Sequence, residues 1–144
     1  MAAIVLDNHE QLAGVVKQKC VPWRRMIIGI DGVDGVGKSW LARFLSWKLE
    51  MPTIETDLYL KGTGRYELWT DDIRRIVQKR LSDNRPLIIE GAFLLQTLQA
   101  LDIQHEILIY VRSQRRDDGG LDGLLTYSTN FAPIKAAHFV FVRS

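Results

Sequence analysis

Two kinds of apolar pattern alternate along the chain. The segments "RMIIGID", "PTIET", "RPLIIEG", "EILIYVR" and "HFVFVR" are short, mostly continuous apolar runs with many β-branched residues. Runs of this kind read as strands buried on both faces. Between them, apolar residues recur at helical spacing. Leu12, Val15, Val16 and Lys19 share one face of residues 7–19, with Asp7 or Asn8 placed to cap the segment. Leu41, Phe44, Leu45 and Leu49 mark a second helix over 39–49, which Pro52 brings to an end. Ile73, Ile76, Val77 and Leu81 mark a third, to about Leu81, with Thr70 or Asp71 as its expected cap. "AFLLQTLQAL" reads as a shorter fourth.

Buried strands alternating with helices predict an α/β fold. The expectation is a five-stranded, mainly parallel sheet covered by helices on both faces. The chain has 144 residues, no internal repeat and no linker-like tract, so a single domain over 1–144 is expected.

Composition narrows the classes. Apolar residues make up 47% and charged residues 25%, the balance of a globular chain. The 19 basic and 17 acidic side chains leave about +2, too little to point to nucleic acid. The lone Cys20 excludes an internal disulfide and any multi-cysteine metal site. The opening "MAAIVLDNHEQ" carries Asp7 and Glu10 and does not read as a secretory signal. No apolar run approaches the roughly 20 residues that span a bilayer. A cytoplasmic protein without nucleic-acid or membrane partners is the expectation.

The chemistry concentrates in "IIGIDGVDGVGKSWLARFL". Gly32, Gly37, Lys38 and Ser39 satisfy G-x-x-x-x-G-K-[ST], with Gly35 as an additional glycine, and the motif lies between a predicted strand and a predicted helix. Glycines let successive amide groups converge on one phosphate, and the helix amino terminus adds a favourable dipole. Lys38 would bridge the β- and γ-phosphates, and the Ser39 hydroxyl would ligate Mg²⁺. The loop is expected to bind a nucleotide.

Ligands of open α/β sheets sit at the carboxyl ends of the strands. Glu90 ends "LIIE" and is a candidate Mg²⁺ or water ligand. Asp57 follows "TIET" and is placed to orient or deprotonate an acceptor hydroxyl. Glu55 competes for that role, although strand alternation would turn it to the other face. Asp31 opens the loop and can shape it. Arg112, Arg115 and Arg116 in "VRSQRRDD" are placed to neutralise phosphate charge, and "DDGGLDG" beyond them reads as a lid segment. Trp40, Phe44 and Trp47 form a stripe better suited to core packing or a subunit contact than to base stacking, which leaves a homodimer open. Tyr59, Tyr66 and Trp69 fall where an acceptor would bind. His9, His105 and His138 share no spacing.

With these motifs in this order, the chain resembles the P-loop small-molecule kinases, most closely the uridine kinase and phosphoribulokinase group. The similarity runs across nearly the whole length. "GVDGVGKS" stands where the family has its phosphate loop, and "DLYL" resembles its acid-then-aromatic motif. "LIIEGAFLL" is similar to its strand ending in Glu-Gly, "EILIYVRSQRRDD" to its fourth strand and Arg-rich lid, and "APIKAAHFVFV" to its closing segment.

The resemblance implies the three-layer P-loop fold and ATP-dependent, Mg²⁺-dependent phosphorylation of a hydroxyl on a nucleoside-like or other small metabolite. It implies that Asp57 is the catalytic base and that Lys38, Arg112 and Arg116 act in transfer. Gly32, Asp34, Gly35, Val36, Gly37, Lys38, Ser39, Trp40 and Arg115 would surround the nucleotide, with Ser39 and Glu90 at the metal.

The chain also departs from the family. Leu60 replaces the second aromatic of the acid-then-aromatic motif, and the acceptor and lid regions are short. Asp34 inside the loop is a thymidylate-kinase feature, but that enzyme's Asp-Arg-aromatic signature is absent. The shortened acceptor region supports an alternative, a nucleotide-binding regulatory module with little or no transferase activity. No Asn-Lys-x-Asp motif is present, so a Ras-like GTP switch is not expected.

Overall fold

A computed structural model describes residues 2–20, 22–114 and 124–144. Six strands form one sheet: β1 (Ile4–Leu6), β2 (Met26–Asp31), β3 (Thr53–Glu55), β4 (Pro86–Glu90), β5 (Ile107–Ser113) and β6 (Phe139–Arg143). Their order is β1-β6-β5-β2-β4-β3, and every neighbouring pair is parallel. The helices are α1 (His9–Cys20), α2 (Lys38–Leu49), α3 (Thr70–Ser82), α4 (Leu94–Leu101), α5 (Leu124–Phe131) and the short α6 (Pro133–Ala136).

Period-two alternation divides the strand residues between two cores. Ile28, Ile30, Ile107, Ile109 and Val111 face α1 and α2, where they meet Leu12, Val16, Leu41 and Leu45. Ile27, Leu108 and Tyr110 face the other way, against Ile73, Val77, Leu94 and Leu98 of α3 and α4. Each fully buried Ile or Leu contributes about 1.5–3 kcal/mol of hydrophobic stabilisation. The result is the expected three-layer α/β arrangement.

The expected five strands are corrected to six, because β1 joins the edge of the sheet beside β6. Ile4, Val5 and Leu6 are in register with Phe139, Val140 and Phe141. Three residues are too few to show a period, and Ile4 and Val5 remain exposed at the edge.

The helix ends differ in detail from expectation. Asn8 Oδ1 accepts from the Gln11 amide at 2.9 Å, as a cap of α1. The N-cap of α3 is Trp69 rather than Thr70 or Asp71, and it makes no side-chain capping bond. The stripe on α2 is not core: Trp47 is 73% and Trp40 42% exposed, and only Phe44 is partly buried against the core. Cys20 is buried beside Met26, and burial pushes its thiol up to about 11, so it is an inert core residue.

β2 is the centre of the sheet, with β4 and β3 on one flank and β5, β6 and β1 on the other. The chain therefore reverses direction of winding at β2, and the crevice opens at its carboxyl end. Among the described residues, no helix is long and apolar enough to cross a membrane.

Candidate active site

The loop between β2 and α2 starts at Asp31. Its carboxylate is buried, accepts from the Gly32 amide at 2.8 Å and from the Leu94 amide at 3.4 Å, and accepts a short bond from the Tyr127 hydroxyl. The Leu95 amide in turn donates to the Tyr127 oxygen at 3.0 Å. Burial raises the Asp31 carboxyl above its ordinary range, and these donors and Lys38 oppose the shift. Asp31 thus ties the loop, the start of α4 and α5 together.

Two of the glycines are required by the path of the chain. Gly32 has φ 151°, and a Cβ there would come within 2.6 Å of the Val111 carbonyl. Gly37, the N-cap of α2, has φ 100°, and a Cβ there would overlap the Arg143 guanidinium. The amides of the first turn of α2 have no intrahelical partners, so they are available to an anion.

Lys38 is 7% exposed and folds back over the loop. Its Nζ donates to the Val33 carbonyl at 2.8 Å and lies 3.6 Å from Asp34 Oδ1. The Val36 side chain turns into the core, so only its backbone is left to meet a phosphate.

Ser39 Oγ donates to Glu90 Oε1 at 3.0 Å. Glu90 is 1% exposed at the end of β4. Burial raises its carboxyl, Ser39 and Lys38 counteract that, and the charges of Asp57 and Glu55 add to it. Two hard oxygen ligands side by side suit a small divalent cation that keeps several waters and takes further oxygens from phosphates. Among the described residues, no cluster of three or more His, Cys, Asp or Glu could hold a metal alone. The Ser39 and Glu90 oxygens fit Mg²⁺ as two of its ligands.

Asp57 sits in a 3-10 turn, Thr56–Tyr59, directly after β3, and its side chain is exposed. Glu55 is held elsewhere: Arg43 of α2 donates to its two oxygens at 3.3 and 2.6 Å. Arg112 is exposed near the end of β5. Arg115, Arg116 and most of the expected lid lie outside the described residues.

The short segment after Asp57 folds on itself through an antiparallel bridge between Leu60 and Leu68. Tyr66 returns from it to the site, where its hydroxyl donates to the Ala92 carbonyl at 3.0 Å. Its ring meets Phe93 edge-on at 5.4 Å, and Phe93 meets Tyr127 in the same way at 5.4 Å. A cavity of about 30 Å³ lies between the rings of Phe93 and Tyr127 and the loop, lined also by Asp31, Gly32 and Ala92. Thr56 stands buried under Gly91, where a Cβ would overlap its Oγ1.

Sequence reading missed four of these residues. Tyr127 lies 96 positions from Asp31, and no local pattern links the two. Phe93 and Thr56 stand beside motif residues and carry no pattern of their own. Arg143 carried the one available signal, a basic residue at the end of a buried strand.

No family model and no curated protein matches the chain. Its fold matches solved structures. One is a protein described as a possible uridine kinase from Bacillus stearothermophilus, at 16% identity and a TM-score of 0.62, over 92% of this chain and 98% of that one. Another is a protein provisionally assigned as a fructose transport system kinase from Silicibacter sp. TM1040, at 18% identity and a TM-score of 0.56, over 93% of this chain and 98% of that one. The chain has a three-layer α/β fold with a P-loop motif between β2 and α2, and it shares the fold of these two structures.

Proposed function

We propose that the protein is an ATP-dependent kinase that transfers the γ-phosphoryl group to a hydroxyl of a small, nucleoside-like or other metabolite. The observation that carries this reading is the meeting of Lys38, Ser39 and Glu90 at the carboxyl ends of β2 and β4, beside the free amides of α2. That set combines an anion cradle, a lysine cation and two oxygens suited to Mg²⁺.

Lys38 would exchange its bonds to Val33 and Asp34 for the β- and γ-phosphates. Ser39 and Glu90 would hold Mg²⁺, which when bound neutralises charge on the phosphates. Asp57, on the β3–β4 flank and close enough for its charge to act on Glu90, would orient the acceptor hydroxyl and take its proton. Arg112, with Arg115 and Arg116, would offset the charge of the transferring group, while Asp34, Gly35 and Trp40 would border the nucleotide.

The test is direct detection of a phosphorylated acceptor by mass spectrometry after incubation with Mg·ATP. A product formed by the wild type and lost in Asp57→Asn supports the reading. Full turnover by Asp57→Asn on a true substrate contradicts the assignment of Asp57.

A second reading, a nucleotide-binding regulatory module, draws support from one observation. The segment between Asp57 and α3 is short and folds on itself through the Leu60–Leu68 bridge, which leaves little chain to enclose an acceptor. Tight Mg·ATP binding with no phosphorylated product from any acceptor favours that module.

A further inference from the structure

Arg143 ends β6, two strands away from β2, yet its side chain reaches the phosphate loop. Its guanidinium and Cδ pack against Gly37, the residue that opens α2. The same guanidinium lies 5.0 Å from the centroid of the Trp40 ring, in cation–π geometry. Trp40 is itself braced by an edge-on His9 at 5.3 Å and a stacked Phe44 at 6.0 Å.

No carboxylate is ion-paired with Arg143 among the described residues. An exposed arginine ordinarily finds an acid or stays in water. Here an aromatic face holds it at the mouth of an anion cradle, with no ion-pair partner among the described residues. An arginine presents several donors in a planar fork suited to phosphate oxygens.

Its flank of the sheet indicates which phosphate it would meet. Glu90 and Asp57 belong to the β4–β3 side of β2, the side of the transferable phosphoryl group and the acceptor. β5 and β6 lie on the opposite side. A nucleotide whose terminal phosphate points to Glu90 and Asp57 extends its nucleoside towards β6.

We propose that Arg143 is a binding residue for the α-phosphate of the nucleotide, and that Trp40 positions it by stacking. The assignment rests on the nucleotide-binding reading above. It gives the loop a fixed arginine on the strand framework, separate from Arg115 and Arg116. It also explains the otherwise exposed aromatic stack on α2, whose indole keeps a cation over the loop in the absence of a phosphate.

The test is calorimetric titration of Mg·ADP into the wild type, Lys38→Ala, Arg143→Met, Arg143→Lys and Trp40→Leu, with unfolding midpoints recorded without nucleotide. The expected result is a loss of about tenfold or more in affinity for Arg143→Met, at an unchanged unfolding midpoint. Arg143→Lys keeps the charge without the planar fork and should retain part of the affinity. Trp40→Leu should weaken binding severalfold by freeing the arginine. If Lys38→Ala loses affinity while Arg143→Met binds as the wild type does, the Arg143 assignment is wrong and the nucleotide reading stands. If wild type and Lys38→Ala bind Mg·ADP equally poorly, the nucleotide reading falls and this assignment falls with it. A lowered midpoint for Arg143→Met with unchanged affinity would make the residue structural only.

Discussion

Ser39 Oγ donates a hydrogen bond to Glu90 Oε1 across 3.0 Å, joining the first turn of α2 to the end of β4. The two oxygens come from positions 51 residues apart, and the fold brings together the pair that the family resemblance expects at the metal. Ser39→Ala should weaken Mg·ADP binding about tenfold while leaving metal-free ADP binding little changed. Titrations with Mg²⁺ and with a chelator separate the two effects. Equal losses in both would mean that Ser39 serves the loop's shape rather than a metal.

The bond from Tyr127 to Asp31 predicts a stability effect. Tyr127→Phe removes the hydroxyl from a buried carboxylate and also leaves the Leu95 amide without its acceptor. Loss of a partner from a buried polar group costs about 1–3 kcal/mol. Urea unfolding should show a loss of that size, and an unchanged midpoint would mean that water replaces the hydroxyl freely.

Glu90 and Asp31 each make a pH-dependent contribution to stability. Burial raises both carboxyls, so the folded chain holds their protons more tightly than the unfolded chain does. Their contribution to stability is therefore greatest at low pH, and that of Glu90 is lost as pH rises from 4.5, its ordinary value, through its raised folded value. Unfolding free energy without ligand should decline across that window, and Glu90→Gln should flatten the decline. A rise across the same window in the wild type, removed by Glu90→Gln, would reverse the sign assigned here.

Gly91 follows Glu90 and faces Thr56, the residue before Asp57. A Cβ at Gly91 would overlap Thr56 Oγ1, so Gly91→Ala must push the turn that carries Asp57. Overpacking of this kind costs about 1–3 kcal/mol. The expected outcome is a lower unfolding midpoint together with reduced turnover, and a variant with wild-type values for both would show that the turn yields freely.

Legibility from sequence followed the length and locality of each signal. β2, β4 and β5 were readable because buried parallel strands leave continuous apolar runs, and the phosphate loop because its spacing is fixed by phosphate geometry. Strand β1 was not readable: Ile4–Leu6 shows no period and gains its structure from pairing with β6. The α2 stripe was legible as a face but not as core, because helical spacing marks a face without saying what covers it, and only Phe44 of the three packs against the core. Trp40 has Arg143 over its ring, and Trp47 is exposed. Besides the adjacent Gly32 amide, the partners of Asp31 come from α4 and α5, and only the fold brings them to it.

The central claim is that the loop presents a phosphoryl donor to an acceptor. Its most direct test is ADP release from Mg·ATP across a panel of nucleosides, sugars and other small alcohols, with Lys38→Ala as the blank. The account predicts that at least one acceptor raises the wild-type rate well above the blank, and that Asp57→Asn abolishes the rise. Release that stays at the Lys38→Ala level with every acceptor would contradict it.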